Sequence, residues 1–228
     1  MSDEKPGAPD PYAHMSTIGM SKAELLSASP RLFDNDLLDK LSRVHWAFPL
    51  MYVPVALWLI WLGAQSVSLV PLVLCIALGY VIWTFAEYVF HRWVFHTEFP
   101  GELGQRLHFL LHGVHHVHPS DPLRLVMPPL MSAPLMLLGW IVVRAIFGAP
   151  AAYPVEAGFL LGYVLYDEIH YHIHHRVPRT KLEQTLRRLH LLHHFRDPAR
   201  GYGVSAPWWD TVFKTDYAVA DRPGDKPL

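Results

Sequence analysis

Ten of the sixteen histidines in this 228-residue chain lie in four short clusters with the composition of a metal site. A neutral imidazole is a common metal ligand, whereas a buried imidazole without a partner costs about 1–3 kcal/mol. Ten such costs would exceed the roughly 5–15 kcal/mol by which a whole domain is stable, so we expect metal ions to bind these nitrogens. The clusters, each beside or between apolar stretches, are His91/His96, His112/His115/His116, His170/His174 and His190/His193/His194.

Spacing within the clusters predicts how many imidazoles a helix directs at one point. Residues at i, i+3 and i+4 share a helix face. The three histidines of the second cluster, the three of the fourth and the two of the third are therefore each expected to point to one site. His91 and His96 would be about 140° apart around an ideal helix, so we expect them to reach different metals or to span a helix end. Ten ligands are too many for one ion, which predicts two metal ions with four or five nitrogens each.

Ligand chemistry narrows the kind of metal site. Imidazole binds zinc, copper and iron, but a closed structural zinc site usually has four ligands and includes cysteine. The one cysteine, Cys75, lies in an apolar run, where we interpret it as a small buried hydrophobe. The repeated Glu-x-x-His signature of carboxylate di-iron bundles is absent from the sequence. An oxygen-activating dinuclear iron site with nitrogen ligands is the interpretation that remains.

Four apolar segments are expected to cross a membrane and to position the clusters. They are residues 44–62, 69–86, 126–143 and 154–169, and a helix needs about 20 residues to cross the hydrocarbon core. Brief connections pair these spans into two hairpins, so all four clusters are expected on one side. Lysines and arginines concentrate on that side, which the positive-inside rule assigns to the cytosol. A composition of 51% hydrophobic and 17% charged residues also favours a membrane protein.

The expected fold class is therefore all-α: an integral membrane protein with four transmembrane helices in two hairpins and a cytosolic helical histidine domain. Residues 1–30 are polar and contain prolines, which predicts a flexible tail. We expect the functional domain to cover residues 31–217 and a C-terminal tail to cover residues 218–228. The net charge of −1 gives no reason to expect nucleic acid as a partner.

Four stretches of the chain together resemble the fatty acid hydroxylase superfamily, and within it the fatty acid 2-hydroxylases. The resemblance implies a membrane di-metal mono-oxygenase whose ligands are the ten clustered histidines. It also implies O2 as co-substrate and two metal ions per chain, iron in the active enzyme, with zinc able to replace it on purification. The stretches are FAEYVFHRWVFH (85–96), LHFLLHGVHHVHPSDPLRLVMPP (107–129), LGYVLYDEIHYHIHH (161–175) and LRRLHLLHHF followed by GYGVSAPWWDTVFKT (186–215).

The same resemblance predicts the substrate and the reductant. The expected substrate is a lipid or fatty acyl chain, hydroxylated at its 2-position. Eukaryotic members carry a fused haem-binding cytochrome domain, whose HPGG-type motif is missing from this sequence, so a separate electron donor such as a cytochrome or ferredoxin system is expected. The tetrapeptide at residues 202–205 reads Tyr-Gly-Val-Ser, where the family usually has phenylalanine in the first position.

Three further side chains are candidates for roles beside the metals. Tyr166 and Asp167 precede His170 and are predicted to orient a ligand or to contact the substrate carbonyl. Glu87, one turn before His91, is a candidate to accept the proton of that imidazole. We interpret the other six histidines as solvated or merely neighbouring side chains.

Two alternatives remain open from the sequence. A desaturase, or a hydroxylase of sterols or carotenoids, would start from the same oxidant and differ only in how the substrate is placed. A non-enzymatic membrane metal-binding or transport protein is less consistent with the pattern. The central parts of the predicted spans lack the charged groups and histidines that usually mark a transport path.

Overall fold

The computed structural model describes residues 21–217, and this part of the chain is helical without a strand. The all-α fold class is thereby confirmed. A 3₁₀ turn, Phe48–Met51, precedes α3, and two π-helical turns, His91–Phe95 and Phe109–Gly113, follow α4 and α5. The ten α-helices of the described residues are α1 (Lys22–Ser27), α2 (Asp36–Leu41), α3 (Tyr52–Ala64), α4 (Leu69–Phe90), α5 (Gly101–His108), α6 (Val114–Val117), α7 (Pro129–Phe147), α8 (Ala152–His175), α9 (Lys181–Phe195) and α10 (Trp208–Phe213).

Two helices among the described residues are long and apolar enough to cross a membrane, rather than the four spans expected. They are Leu69–Phe95 and Pro129–Phe147. The first predicted span corresponds to Phe48–Ala64, an apolar helix that is shorter than a full crossing. The fourth corresponds to α8, whose carboxylates and terminal histidines lower its hydropathy. Most residues of α8 are buried inside the protein, so this helix does not need an apolar surface.

Helix α8 is the centre of the bundle and packs against α3, α4 and α7. It approaches α4 so closely that a Cβ on Gly158 would lie 2.0 Å from the carbonyl oxygen of Ile76, so only glycine fits there. Trp83 of α4 packs edge-on against Phe159 and Tyr163 of α8. Apolar side chains instead cover the outer faces of α4 and α7, as expected of surfaces that contact lipid.

The N-terminal part of the described chain is ordered against the histidine-bearing end of the bundle. Helix α1 begins with a capping box in which Ser21 and Glu24 hydrogen-bond reciprocally. The backbone N–H of Ser120 donates to the carbonyl of Leu26, over 2.9 Å. Residues 21–30, placed in a flexible tail on the basis of composition, thus form a helix and pack. The rest of that tail, 1–20, and the predicted C-terminal tail, 218–228, lie outside the described residues.

Candidate metal centre

All ten clustered histidines come together at one end of the bundle, where they form two groups of five. Within each group the ligand nitrogens lie within 4.8 Å of one another. The two groups adjoin, since the rings of His116 and His194 stack with their centroids 4.3 Å apart. We call His91, His96, His112, His116 and His193 the first histidine group, and His115, His170, His174, His190 and His194 the second histidine group.

The distances between nitrogens match the edges of a metal coordination shell. In the second histidine group, Nε2 of His190 lies 2.8 Å from Nε2 of His174 and 3.0 Å from Nε2 of both His170 and His194. Because one ring nitrogen carries at most one proton, these three contacts are not all hydrogen bonds. Two ligands at about 2.1 Å from one ion and 90° apart are about 3 Å from each other. A cation bound by all of these lone pairs therefore fits the arrangement.

The first histidine group has the same geometry. Nε2 of His91 lies 3.0 Å from Nε2 of His112 and 3.3 Å from Nε2 of His96. Nε2 of His116 in turn lies 3.1 Å from Nε2 of His112. Both groups of side chains thus suit an ion with several nitrogen ligands.

Each HxxHH cluster serves both groups, contrary to the expectation that its three histidines converge. His112 and His116 belong to the first histidine group, whereas His115 belongs to the second. Residues i and i+4 are about 40° apart around a helix, while i+3 lies about 60° to the other side. With two adjoining sites in front of the helix, that difference directs the i+3 ring to the other site. The fourth cluster divides in the reverse sense, with His193 in the first group and His190 and His194 in the second.

A π-helical turn places His91 and His96 in the same group, so of the two expected alternatives, different metals or a helix end between them, the second is the one observed. The backbone N–H of His96 donates to the carbonyl of His91, over 3.2 Å, which is the i→i+5 bond of a π-helix. The wider turn brings residues five apart onto one face. His96 does lie at the end of that turn, but the five-residue spacing is not an indication of two metals.

Burial keeps these imidazoles in the neutral form that binds metal. Desolvation, with neighbouring histidines adding to it, lowers the pKa of His96 to about 3 and that of His116 to about 2. Desolvation also lowers the pKa of His193 to about 4. In the second histidine group, burial lowers the pKa of His115, and neighbouring histidines lower it further.

Two backbone carbonyls orient rings of the first histidine group. Nδ1 of His91 lies 2.6 Å from the carbonyl oxygen of Tyr202, and Nδ1 of His193 lies 2.7 Å from that of Arg200. An N–H donated to a carbonyl leaves the other ring nitrogen free to bind metal. Sequence reasoning missed these partners because a carbonyl has no residue signature. Glu87 does not hold His91: its Oε1 accepts from the backbone N–H of Ser205, over 2.8 Å.

Tyr166 and Asp167 are buried beside the second histidine group. The ring of Tyr166 lies 5.7 Å from that of His170, centroid to centroid. Oδ2 of Asp167 accepts from the backbone N–H of Met127, over 3.3 Å. Both residues line an apolar cavity of about 240 Å³ that reaches His112, His115 and His170.

Leucine, valine, methionine and phenylalanine side chains form most of the wall of this cavity. They come from residues 32–42, 107–114 and 125–131 and from Phe95. The cavity therefore joins an apolar space to the polar edge of the metal centre, an arrangement that suits the polar end of a hydrocarbon chain and the carbons next to it.

The remaining histidines of the described chain lie outside both groups, in agreement with the sequence interpretation. Nδ1 of His118 lies 2.6 Å from the carbonyl oxygen of Leu25. His172 lies 3.9 Å from a carboxylate oxygen of Glu183. His45 accepts from the backbone N–H of Ala47, over 3.2 Å.

Comparisons with known proteins agree with the geometry. The family model described as fatty acid hydroxylase matches residues 76–215. A dihydroceramide fatty acyl 2-hydroxylase of Arabidopsis thaliana is 41% identical over 191 residues, covering 82% of this chain and 79% of the relative. A ceramide very long chain fatty acid hydroxylase of Saccharomyces cerevisiae is 35% identical over 204 residues, covering 87% of this chain and 52% of that protein.

A solved structure has the same fold. It is titled full-length scs7p, with only the hydroxylase domain visible, and it superposes with a TM-score of 0.77 at 34% sequence identity. The match covers 86% of this chain and 73% of that one.

Proposed function

The chain belongs to the fatty acid hydroxylase family, and from that premise we propose that it is a membrane di-metal mono-oxygenase that hydroxylates lipid acyl chains at the 2-position. The observation that supports this most directly is that the two histidine groups adjoin an apolar cavity, which is lined by His112 of the first group and by His115 and His170 of the second. A metal-binding protein without acyl chemistry has no use for a hydrocarbon-sized space at its metal ligands.

We propose that the ten histidines bind two metal ions, iron in the active enzyme, and that a separate protein supplies the electrons. When bound, such ions supply the activation of O2. The chain itself contributes neutral imidazoles, fixed ring orientations and a cavity wall that excludes water. Zinc is also expected to bind, because imidazole does not discriminate strongly between these ions.

Tyr166 and Asp167 are proposed to position the substrate. They are polar side chains in a mostly apolar cavity, and they lie on the helix that carries His170. A carbonyl or amide held by them would leave the adjacent carbon of the chain nearest the histidines. That placement favours the 2-position, which also appears in the names of the plant relatives. Amide-linked acyl chains of the ceramide type are therefore the first substrates to test.

We propose a multi-pass arrangement with the histidines on the cytosolic side. Leu69–Phe95 and Pro129–Phe147 are the candidate crossings, and the shorter Phe48–Ala64 and the enclosed α8 would complete two hairpins. The connections Gln65–Ser68 and Gly148–Ala151 are short enough for such hairpins. The excess of arginine and lysine at the histidine end supports the orientation.

The test is lipid mass spectrometry on proteoliposomes that contain the purified iron-loaded protein, a reductase system, a sterol, and ceramide or free fatty acid. We expect one added oxygen, located at the 2-position by fragmentation, and loss of this product in Asp167→Asn with the metal content retained. Loss of two hydrogens instead would identify a desaturase, and an oxygen added only to sterols would identify a sterol hydroxylase. Metal-loaded, reduced protein without any oxidised lipid would overturn the proposal.

A further inference from the structure

The loop of residues 200–205 orients two members of the first histidine group and none of the second. Its carbonyls at Arg200 and Tyr202 lie 2.7 Å and 2.6 Å from Nδ1 of His193 and His91. The ring of Tyr202 also lies beside those of His91 and His193, with centroids 5.7 Å from each. A shift of this loop would therefore reach the first histidine group directly.

Asp210 fixes the loop from the opposite side. Its Oδ1 accepts from the backbone N–H of Tyr202, over 2.9 Å, and from the hydroxyl of Thr215, over 2.7 Å. Its Oδ2 accepts from the backbone N–H of Gly203, over 2.8 Å. The carboxylate approaches the loop closely, because a Cβ on Gly203 would lie 3.0 Å from Oδ2 of Asp210. One buried carboxylate thus holds the peptide unit that contains the Tyr202 carbonyl, through the N–H of Gly203, and also the peptide unit before it, through the N–H of Tyr202.

The second histidine group lacks comparable support. Nδ1 of four of its members is buried and has no hydrogen-bond partner among residues 21–217. These members are His115, His170, His190 and His194. The two groups therefore differ in how firmly the protein fixes ring orientation and the position of the ring proton.

We infer that Asp210 is a positioning residue for the first histidine group, and that this group holds its metal ion more tightly than the second. The inference rests on the proposed di-metal function. The carboxylate fixes the Tyr202 peptide, the Tyr202 carbonyl holds the Nδ1 proton of His91, and Nε2 of His91 is thereby presented to the ion. Partners of this kind alter metal affinity by about 10–100-fold when they are removed.

The experiment uses detergent-solubilised, zinc-loaded protein. The concentration of a competing chelator is raised stepwise, and mass spectrometry measures the number of zinc ions bound per chain at each step. For the wild type we expect two ions that leave in two separate steps. In Asp210→Asn, one of the two backbone N–H donors would face the side-chain NH2 group, which cannot accept a hydrogen bond, instead of a carboxylate oxygen. We expect the tighter step to weaken by about 10–100-fold and the weaker step to stay unchanged.

Variants that lack one histidine ligand show which histidine group releases its ion in which step. In His115→Ala, which leaves the first histidine group intact, Asp210→Asn should weaken the remaining tight ion. In His112→Ala, which leaves the second group intact, it should have no effect. Asp216→Asn is the matched control, an exposed carboxylate in the same segment.

Ser132→Ala controls for general destabilisation, because it removes a hydrogen bond to Tyr52 within the bundle, 3.0 Å long. It should lower the thermal midpoint and leave both steps in place. Should Asp210→Asn not fold, Thr215→Val removes one donor to the carboxylate and should shift the same step less.

Equal weakening of both steps, or of neither, in a folded variant would overturn the inference while leaving the di-metal proposal intact. Simultaneous loss of both ions from the wild type would overturn the claim of unequal affinity. Fewer than two ions bound to the wild type would instead count against the proposed di-metal function itself.

Discussion

At the scale of single residues, the division of each HxxHH cluster has a consequence for how metal is lost on mutation. His112 and His116 contribute to one group and His115 to the other, although all three occupy two turns of chain. Neighbouring histidines therefore belong to different metal sites. A double substitution affects one site or both, depending on which two histidines are replaced.

We predict that His112→Ala/His116→Ala leaves about one ion per chain, whereas His112→Ala/His115→Ala leaves almost none, since removing ligands lowers metal affinity at the site that loses them. Metal counting after gel filtration measures both. The two double variants remove the same number of imidazoles from the same cluster, so each is the control for the other. Equal metal contents in the two would contradict the partition.

Residue types were sufficient to select the ten histidines that the structure brings together, but not to divide them between the two groups. Metal-ligand spacing is visible in a sequence because it reflects one helix at a time. The division depends on where neighbouring helices lie and, for His91 and His96, on a π-helical turn whose residues have no distinctive composition. The role of Asp210 is likewise not visible in the sequence, because this carboxylate acts through the backbone N–H groups of Tyr202 and Gly203.

At the scale of elements, the segment of residues 29–43, which we call the N-terminal strap, is joined to the rest of the protein by Arg124. The guanidinium of Arg124, with a side chain 3% exposed, lies 3.0 Å from Oδ1 of Asp39 and 3.2 Å from Oγ of Ser29. Oδ2 of Asp121 also lies 3.5 Å from the same guanidinium. Strap side chains, including those of Leu38 and Leu41, line the cavity that we assign to the acyl chain.

We predict that Arg124→Met loosens the N-terminal strap, because it leaves the buried Asp121 without its cation and Asp39 with only the more exposed Arg43. Breaking a buried ion pair costs about 3–5 kcal/mol. Hydrogen exchange should quicken in residues 29–43 before it quickens in α8.

Arg43→Met is the matched control for the strap. Arg43 also binds Asp39 but has a side chain 27% exposed, so solvent screens its pairing and the effect should be much smaller. Unchanged exchange of the strap in Arg124→Met would contradict its anchoring by this residue.

The helices themselves were placed well by apolar patterning, whereas residues 21–30 were wrongly expected to be a flexible tail. Predicted spans at 69–86 and 126–143 correspond to α4 and α7, with ends that differ by a few residues. Hydropathy predicted α8 less well. This helix packs against three others and is mostly buried, so its sequence does not need the continuous apolar surface of a helix that faces lipid. Residues 21–30 are ordered through a capping box and a few backbone contacts, which composition does not register.

At the scale of the whole molecule, one end of an apolar bundle holds ten imidazoles in neutral form, and this arrangement makes stability depend on pH. The pKa of His96, His116 and His193 is about 3, 2 and 4 in the folded protein, chiefly through burial. An exposed histidine in the unfolded chain has a pKa of about 6.5. Below that value the unfolded chain binds more protons than the folded one, so the free energy of unfolding falls as pH falls.

We therefore predict that the metal-free protein loses its fold between about pH 6.5 and about pH 4, and that bound metal moves this transition to lower pH. At about pH 5 each of the three histidines costs about 2 kcal/mol, a total comparable to the stability of a domain. Metal extends the stable range because its ligands must stay deprotonated, so protons compete with the ion. Helix content followed by circular dichroism, with and without two equivalents of zinc, measures both transitions. Superimposable acid transitions in the two forms would show that the histidines do not bind metal, and a metal-free fold unchanged at about pH 4 would show that they are not buried in neutral form.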